Sequence, residues 1–187
     1  SFSVTPDFFS LLKKEEQKGG YKIYNGGPAT GTTFMSFNLN QGERNGKPLV
    51  DPIKSQWFNN VKFRQAIAYS INRQRMINNI YRGLGAPQDS PISVPTPYYF
   101  SRAQGLPVYD YNPKKAKELF AAAGFKYNDQ NNLFDEDGNP VRFTLVTNSG
   151  NKIREALGTQ IKQDLALIGI EVNFTPIAFS SLVDKID

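Results

Sequence analysis

Val141-Arg142-Phe143-Thr144-Leu145-Val146-Thr147, then Ile153, Leu157, Ile161, Leu165 and Ile168, then Ile170-Glu171-Val172-Asn173-Phe174, is the stretch that decides the fold. The first run is β-branched and alternates in polarity, as a strand with one buried face does. The middle residues recur every three to four positions, which predicts one long amphipathic helix over 151–168 ending at Gly169. The last run alternates again. Strand, long helix and second strand make a βαβ crossover, favouring a parallel pair joined right-handedly. The expected class is α/β, in mixed α+β form, with one mixed sheet flanked by helices.

Downstream, Phe179, Leu182, Val183 and Ile186 fall on one stripe, so 179–187 reads as an amphipathic helix. It has no C-cap before the chain stops. Upstream, Leu133-Phe134, the turn-like Asp135 to Pro140 and Val141 to Val146 read as a hairpin. Asn112-Pro113 starts a helix whose buried side carries Ala116, Leu119, Phe120 and Ala123, with Gly124 as its stop. The segment 86–110 holds Pro87, Pro91, Pro95, Pro97 and Pro107, so neither helix nor central strand survives there. It is a long loop carrying Tyr98, Tyr99 and Phe100, either functional or covering the core.

Val61 to Ser70 has helical spacing, and Asn72 can cap a second helix with Met76, Ile77, Ile80, Tyr81 and Leu84 inside. Thr32 to Asn40 is β-branched and aromatic and reads as the clearest strand, with Phe34 and Phe37 on opposite faces. Tyr21 to Tyr24 also alternates, before the turn Asn25-Gly26-Gly27-Pro28. A helix before it ends at Gly19-Gly20. The periodicities predict a core of Phe34, Phe37, Ile67, Leu119, Leu145, Leu157, Ile161, Leu165 and Val172.

The chain has 187 residues, 39% of them hydrophobic and 21% charged, enough for a packed core. No apolar run approaches the roughly 20 residues that span a bilayer. There is no cysteine and no histidine, which removes disulfides, thiolate nucleophiles, zinc fingers and His-based triads. The net charge of +5 permits an acidic partner without requiring one, and the scattered lysines and arginines do not form a nucleic-acid patch. Asp135-Glu136-Asp137-Gly138 invites a calcium reading. Aligning Gly138 with the EF-hand glycine puts Leu133 and Thr144 at ligand positions, so an ordinary turn is preferred. No phosphate loop, dinucleotide fingerprint or nucleophile elbow is present. No cofactor, metal site or catalytic residue is expected, and the chain is read as no enzyme. Asn148, Ser149 and Gly150 stand at a strand's carboxyl end and the next helix's start, where α/β sheets present ligands to backbone N–H groups. Capping that helix is their alternative role.

Phe34-Met35-Ser36-Phe37-Asn38 and the block Phe58 to Arg73, with Val61-Lys62-Phe63-Arg64-Gln65-Ala66-Ile67 at its centre, resemble the family 5 extracellular solute-binding proteins. Two further blocks agree in order: Tyr111-Asn112-Pro113-Lys114-Lys115-Ala116 through Gly124-Phe125, and Thr147-Asn148-Ser149-Gly150-Asn151 followed by Leu167-Ile168-Gly169-Ile170-Glu171-Val172. The resemblance implies one lobe of a two-lobed periplasmic-binding-protein-like fold. Residues 1–187 would be a single domain, most of the second lobe, cut at both ends. It implies the peptide-capturing component of an ABC importer, with a carbohydrate receptor of the same family as the alternative. The ligand-binding residues would be Asn148, Ser149, Gly150, Phe179, Tyr98 and Tyr99. The partners would be a peptide or other small solute and membrane permease subunits, with no nucleic acid. The protein would be a monomer, periplasmic or otherwise extracytoplasmic, and lipid-anchored in its full-length form. Dipeptide receptors place an Arg in the loop that follows 141–147, where this chain has Asn148-Ser149-Gly150. The family's ligand-amine aspartate would lie beyond Asp187.

Overall fold

In chain order the elements are α1 (Pro6–Lys14), α2 (Glu16–Gly19), β1 (Glu43–Arg44), β2 (Lys47–Pro48), α3 (Pro52–Asn59), α4 (Val61–Ser70), α5 (Arg73–Asn79), a 3-10 turn (Arg102–Gln104), α6 (Pro113–Ala122), β3 (Lys126–Tyr127), β4 (Leu133–Phe134), β5 (Arg142–Asn148), α7 (Lys152–Ala166), β6 (Glu171–Ile177) and α8 (Phe179–Ile186). The structure, a computed structural model, describes residues 4–186. The expectations for residues 1–3, for the side chain of Ile186 and for Asp187 lie outside the described residues. Two compact units are present: residues up to Phe34 with Arg73–Val108, and Met35–Asn72 with the chain from Tyr109 onward.

The second unit holds the larger core. Side-chain caps set its helix starts. Asn60 Oδ1 accepts from the backbone N–H groups of Lys62 and Phe63 before α4, and Asn112 Oδ1 from Lys115 before α6. Pro113 at the first position of α6 follows the same logic, because its missing N–H would have had no partner there. Asp51 and Pro52 start α3 in this way too. The sequence analysis names no helix there, although its cap-and-proline signal is legible. α4 and α6 bury Phe63, Ala66, Ile67, Ala116 and Phe120. Around Phe63 stand the rings of Phe37, Trp57, Phe58, Phe120 and Phe125, with centroids 5.3 to 6.5 Å away. Phe37 and Phe120 meet it edge-on, Phe58 and Phe125 tilted and Trp57 stacked, within the range of arrangements aromatic quadrupoles favour.

The βαβ unit forms as expected. β5 and β6 pair in parallel over their full length, from Arg142 opposite Glu171 to Asn148 opposite Ile177. α7 crosses over them, burying Leu157 and Leu165. Gly158 faces the strands, where a Cβ would come within 2.3 Å of the Phe174 ring. Gly169 turns the chain back with φ +81°.

The α/β class stands, but the one mixed sheet expected is replaced, among the described residues, by three separate two-stranded ribbons, one parallel and two antiparallel. Other expectations change as well. The segment 32–40 is not a strand, because no neighbouring backbone pairs with it among the described residues. Phe37 still turns inward onto Phe58, 5.0 Å away, whereas Phe34 is 79% exposed and does not join the core. Tyr21 to Tyr24 likewise has no strand partner. Leu133-Phe134 pairs with Lys126-Tyr127, and its link to the following segment is a single bridge, Phe134 to Pro140. β5 is committed to β6, so the expected hairpin does not extend. Leu119, Leu145 and Ile161 are half-buried, while Ile67, Leu157, Leu165 and Val172 are buried.

In the first unit α5 buries Met76 and Ile77, while α1 and α2 bury no residue. Its proline-rich segment is braced at Asp89. Arg73 Nη1 lies 3.1 Å from Asp89 Oδ1, and Arg102 Nε lies 2.6 Å from Asp89 Oδ2. Arg73 also donates to the Gln88 carbonyl at 2.8 Å.

Candidate functional site

The carboxyl end of the β5–β6 pair is where the chain leaves two strands in succession. After β5, Asn148 is the last paired residue, and Ser149 N–H donates to the Ile177 carbonyl at 2.7 Å. Gly150 then takes φ +84°, a backbone conformation that glycine adopts without penalty. Asn151 caps α7 by accepting from Arg154 N–H at 3.0 Å. Strand becomes helix within three residues, so backbone donors concentrate at one point.

Two side chains from the first turn of α7 bend back over this loop. Glu155 Oε1 accepts from Gly150 N–H at 2.8 Å, and Arg154 Nη1 donates to Asn148 Oδ1 at 2.6 Å. A carboxylate there also suits the positive end of the helix. After β6 only Ala178 separates the strand from α8, whose first residue, Phe179, is 65% exposed. The Ser149 to Ile177 bond ties the two exits together. Asn148, Ser149, Gly150 and Phe179 therefore share one end of one parallel pair, offering an amide, a hydroxyl and an aromatic face.

Tyr98 and Tyr99 belong to the other unit. Successive turns place them there: Thr96 N–H donates to the Ser93 carbonyl, and Tyr99 N–H to the Thr96 carbonyl. Tyr98 is 82% exposed and Tyr99 half-buried. Tyr98 thus covers no core, the alternative left open for this loop.

Arg154 and Glu155 were missed in the sequence. The available signal was their position, three and four residues past the Asn151 cap, from which side chains reach back over a helix start.

Elsewhere a concavity of about 70 Å³ is lined by Gln56, Trp57, Asn60, Phe125, Asp135 and Asp137 among others. Its buried carboxylate is already occupied. Asp135 accepts from Trp57 Nε1 at 3.0 Å, from Asn139 Nδ2 and N–H at 3.0 and 2.8 Å, and from Asp137 N–H at 3.1 Å. Burial pushes its pKa up, but these donors, Asn139 foremost, outweigh burial and hold it below the usual carboxylate range. Asp135 organises the 135–139 turn. Among the described residues no group of three or more carboxylates gathers as a metal site would require. No helix among them is long and apolar enough to cross a membrane.

Comparison with known proteins finds relatives of this chain. Oligopeptide-binding protein AppA of Bacillus subtilis is 34% identical over 134 residues, covering 72% of this chain and 24% of AppA. A probable ABC transporter-binding protein of Deinococcus radiodurans is 32% identical over 169 residues, covering 90% of this chain and 27% of that protein. The chain thus spans about a quarter of the length of these relatives. The structure of AppA in complex with a nonapeptide superposes with a TM-score of 0.61 at 35% identity, over 70% of this chain and 26% of AppA. A periplasmic oligopeptide-binding protein of Thermotoga maritima, solved with mannohexaose, gives a TM-score of 0.60 at 25% identity over 71% of this chain and 25% of that one. The family model described as "Bacterial extracellular solute-binding proteins, family 5 Middle" matches residues 2–187, and the chain belongs to the family 5 bacterial extracellular solute-binding proteins.

Proposed function

We propose that this chain is part of the substrate-binding component of an ABC importer, capturing peptides outside the cytoplasmic membrane and delivering them to the permease. The observation that carries the reading is the juxtaposition of the Asn148-Ser149-Gly150 loop and exposed Phe179 at the carboxyl end of β5 and β6. A peptide presents alternating donors and acceptors with side chains between them. An amide and a hydroxyl at a strand end suit the first, and an exposed ring suits the second. The likeness to AppA, whose structure holds a nonapeptide, supports peptide over other solutes.

In this reading residues 1–187 form most of the second lobe of a longer protein. Binding, without chemical conversion, is its task. The receptor is a monomer, working in the periplasm or held outside the cell by a lipid anchor. Tyr98 and Tyr99 are proposed as ligand contacts offered by their own unit. A carbohydrate ligand is the second reading, favoured by the Thermotoga neighbour solved with mannohexaose and by the exposed rings of Tyr98 and Phe100, which suit stacking on sugars. Native mass spectrometry of the full-length protein, offered peptides and oligosaccharides together, tests both. Bound peptide mass is expected. Retention of oligosaccharide alone would favour the second reading, and retention of neither would refute both.

A further inference from the structure

Arg154 reaches back from α7 and sets Nη1 2.6 Å from Asn148 Oδ1. A guanidinium has donors and no acceptor, so chemistry alone dictates that the oxygen end of the Asn148 amide faces it. Turning the amide over would set N–H against N–H. The Nδ2 protons are therefore held on the side away from Arg154. The adjacent cation polarises the amide and strengthens those donors. The backbone donors beside it are engaged, Ser149 N–H by Ile177 and Gly150 N–H by Glu155.

We propose that Arg154 is a positioning residue for ligand recognition: it locks Asn148 as a hydrogen-bond donor, so that this loop selects an acceptor oxygen of a peptide main chain. The proposal rests on the peptide reading and deepens it. It goes beyond a general polar loop because an asparagine free to turn over would welcome donors and acceptors alike, whereas a locked one sets a ligand N–H against its own N–H.

The test uses the full-length protein and alanine peptides of two to nine residues, as free acids and as C-terminal amides. Native mass spectrometry finds the length retained, and calorimetry measures it on wild type, R154Q, R154K, N148D and R154Q/N148D. R154Q, whose amide can donate or accept, is expected to weaken binding about three- to tenfold, as for one lost hydrogen bond. R154K keeps a donor-only partner and is expected within about twofold of wild type. N148D removes the donor and is expected to lose at least as much as R154Q, with no further loss in the double variant. Thermal midpoints separate these effects from unfolding. Equal losses on acids and amides mark an internal carbonyl as the acceptor, and losses on acids alone mark the terminal carboxylate; either fits the locked donor. Wild-type affinity in R154Q, or in N148D should R154Q not fold, would overturn the role of Arg154. So would R154K falling as far as R154Q. Failure of the wild type to retain any peptide would overturn the peptide reading, and this proposal with it.

Discussion

Trp57 and Asn139 both point their N–H groups at one buried carboxylate, Asp135. Replacing it with alanine leaves those donors unpaired, and Asp135→Ala is expected to cost about 1–3 kcal/mol in denaturant unfolding. Its pKa is lowered in the folded state. Its contribution is therefore complete above the unfolded carboxylate pKa and is lost as pH falls through the folded value. Urea midpoints measured from neutral to acid pH should fall less steeply in Asp135→Asn than in wild type. Tyr127 behaves oppositely. Its hydroxyl is buried with no hydrogen-bond partner among the described residues, and burial pushes its pKa up to about 12. Its contribution holds below the unfolded tyrosine pKa and is lost as pH rises toward 12. Tyr127→Phe is expected to be neutral or stabilising at pH 7 and to flatten the alkaline limb of the unfolding curve, since it removes an unsatisfied polar group.

At the scale of elements, the α7 to β6 corner depends on Gly169. A side chain there would meet the Asn131 carbonyl oxygen at 2.1 Å, and φ is +81°. The Gly169 carbonyl also accepts from Leu133 N–H at 2.9 Å, joining this corner to β4. Gly169→Ala therefore faces a left-handed conformation and a rigid backbone wall at once. A loss of at least about 1–2 kcal/mol is expected from the conformation alone, and equilibrium unfolding will measure it. Leu165→Ala, fully buried on the same helix, is expected to cost about 2–5 kcal/mol.

Across the whole molecule, burial is unevenly shared. α1 and α2 bury no residue, whereas α4, α6 and α7 each supply fully buried side chains. Local opening is cheapest where few apolar contacts are lost. Amide hydrogen exchange should therefore be fastest in α1 and α2 and slowest in α4, α6 and α7. Slow exchange throughout 6–19 would contradict this account.

The helices over 61–70, 113–122 and 152–166 and the βαβ crossover were legible in the sequence by itself, whereas the cap of the long helix is Asn151 and not Asn148 to Gly150. Asn60, Asn112 and Asn151 act on donors two or three residues away, and a helix closes its hydrogen bonds within four. Among the proposed site residues, Asn148 to Gly150 was picked out by the end of a periodic segment and Phe179 by the family resemblance. Strands were a different matter. Thr32 to Asn40 has the composition of one, but a strand exists only through a partner's backbone, and only the tertiary structure decides whether a partner is there. Likewise Phe37 and Phe34 look alike in sequence, yet one meets Phe58 and the other meets solvent. The orientation of Asn148 also waited on tertiary structure, because it depends on which way the long side chain of Arg154 folds.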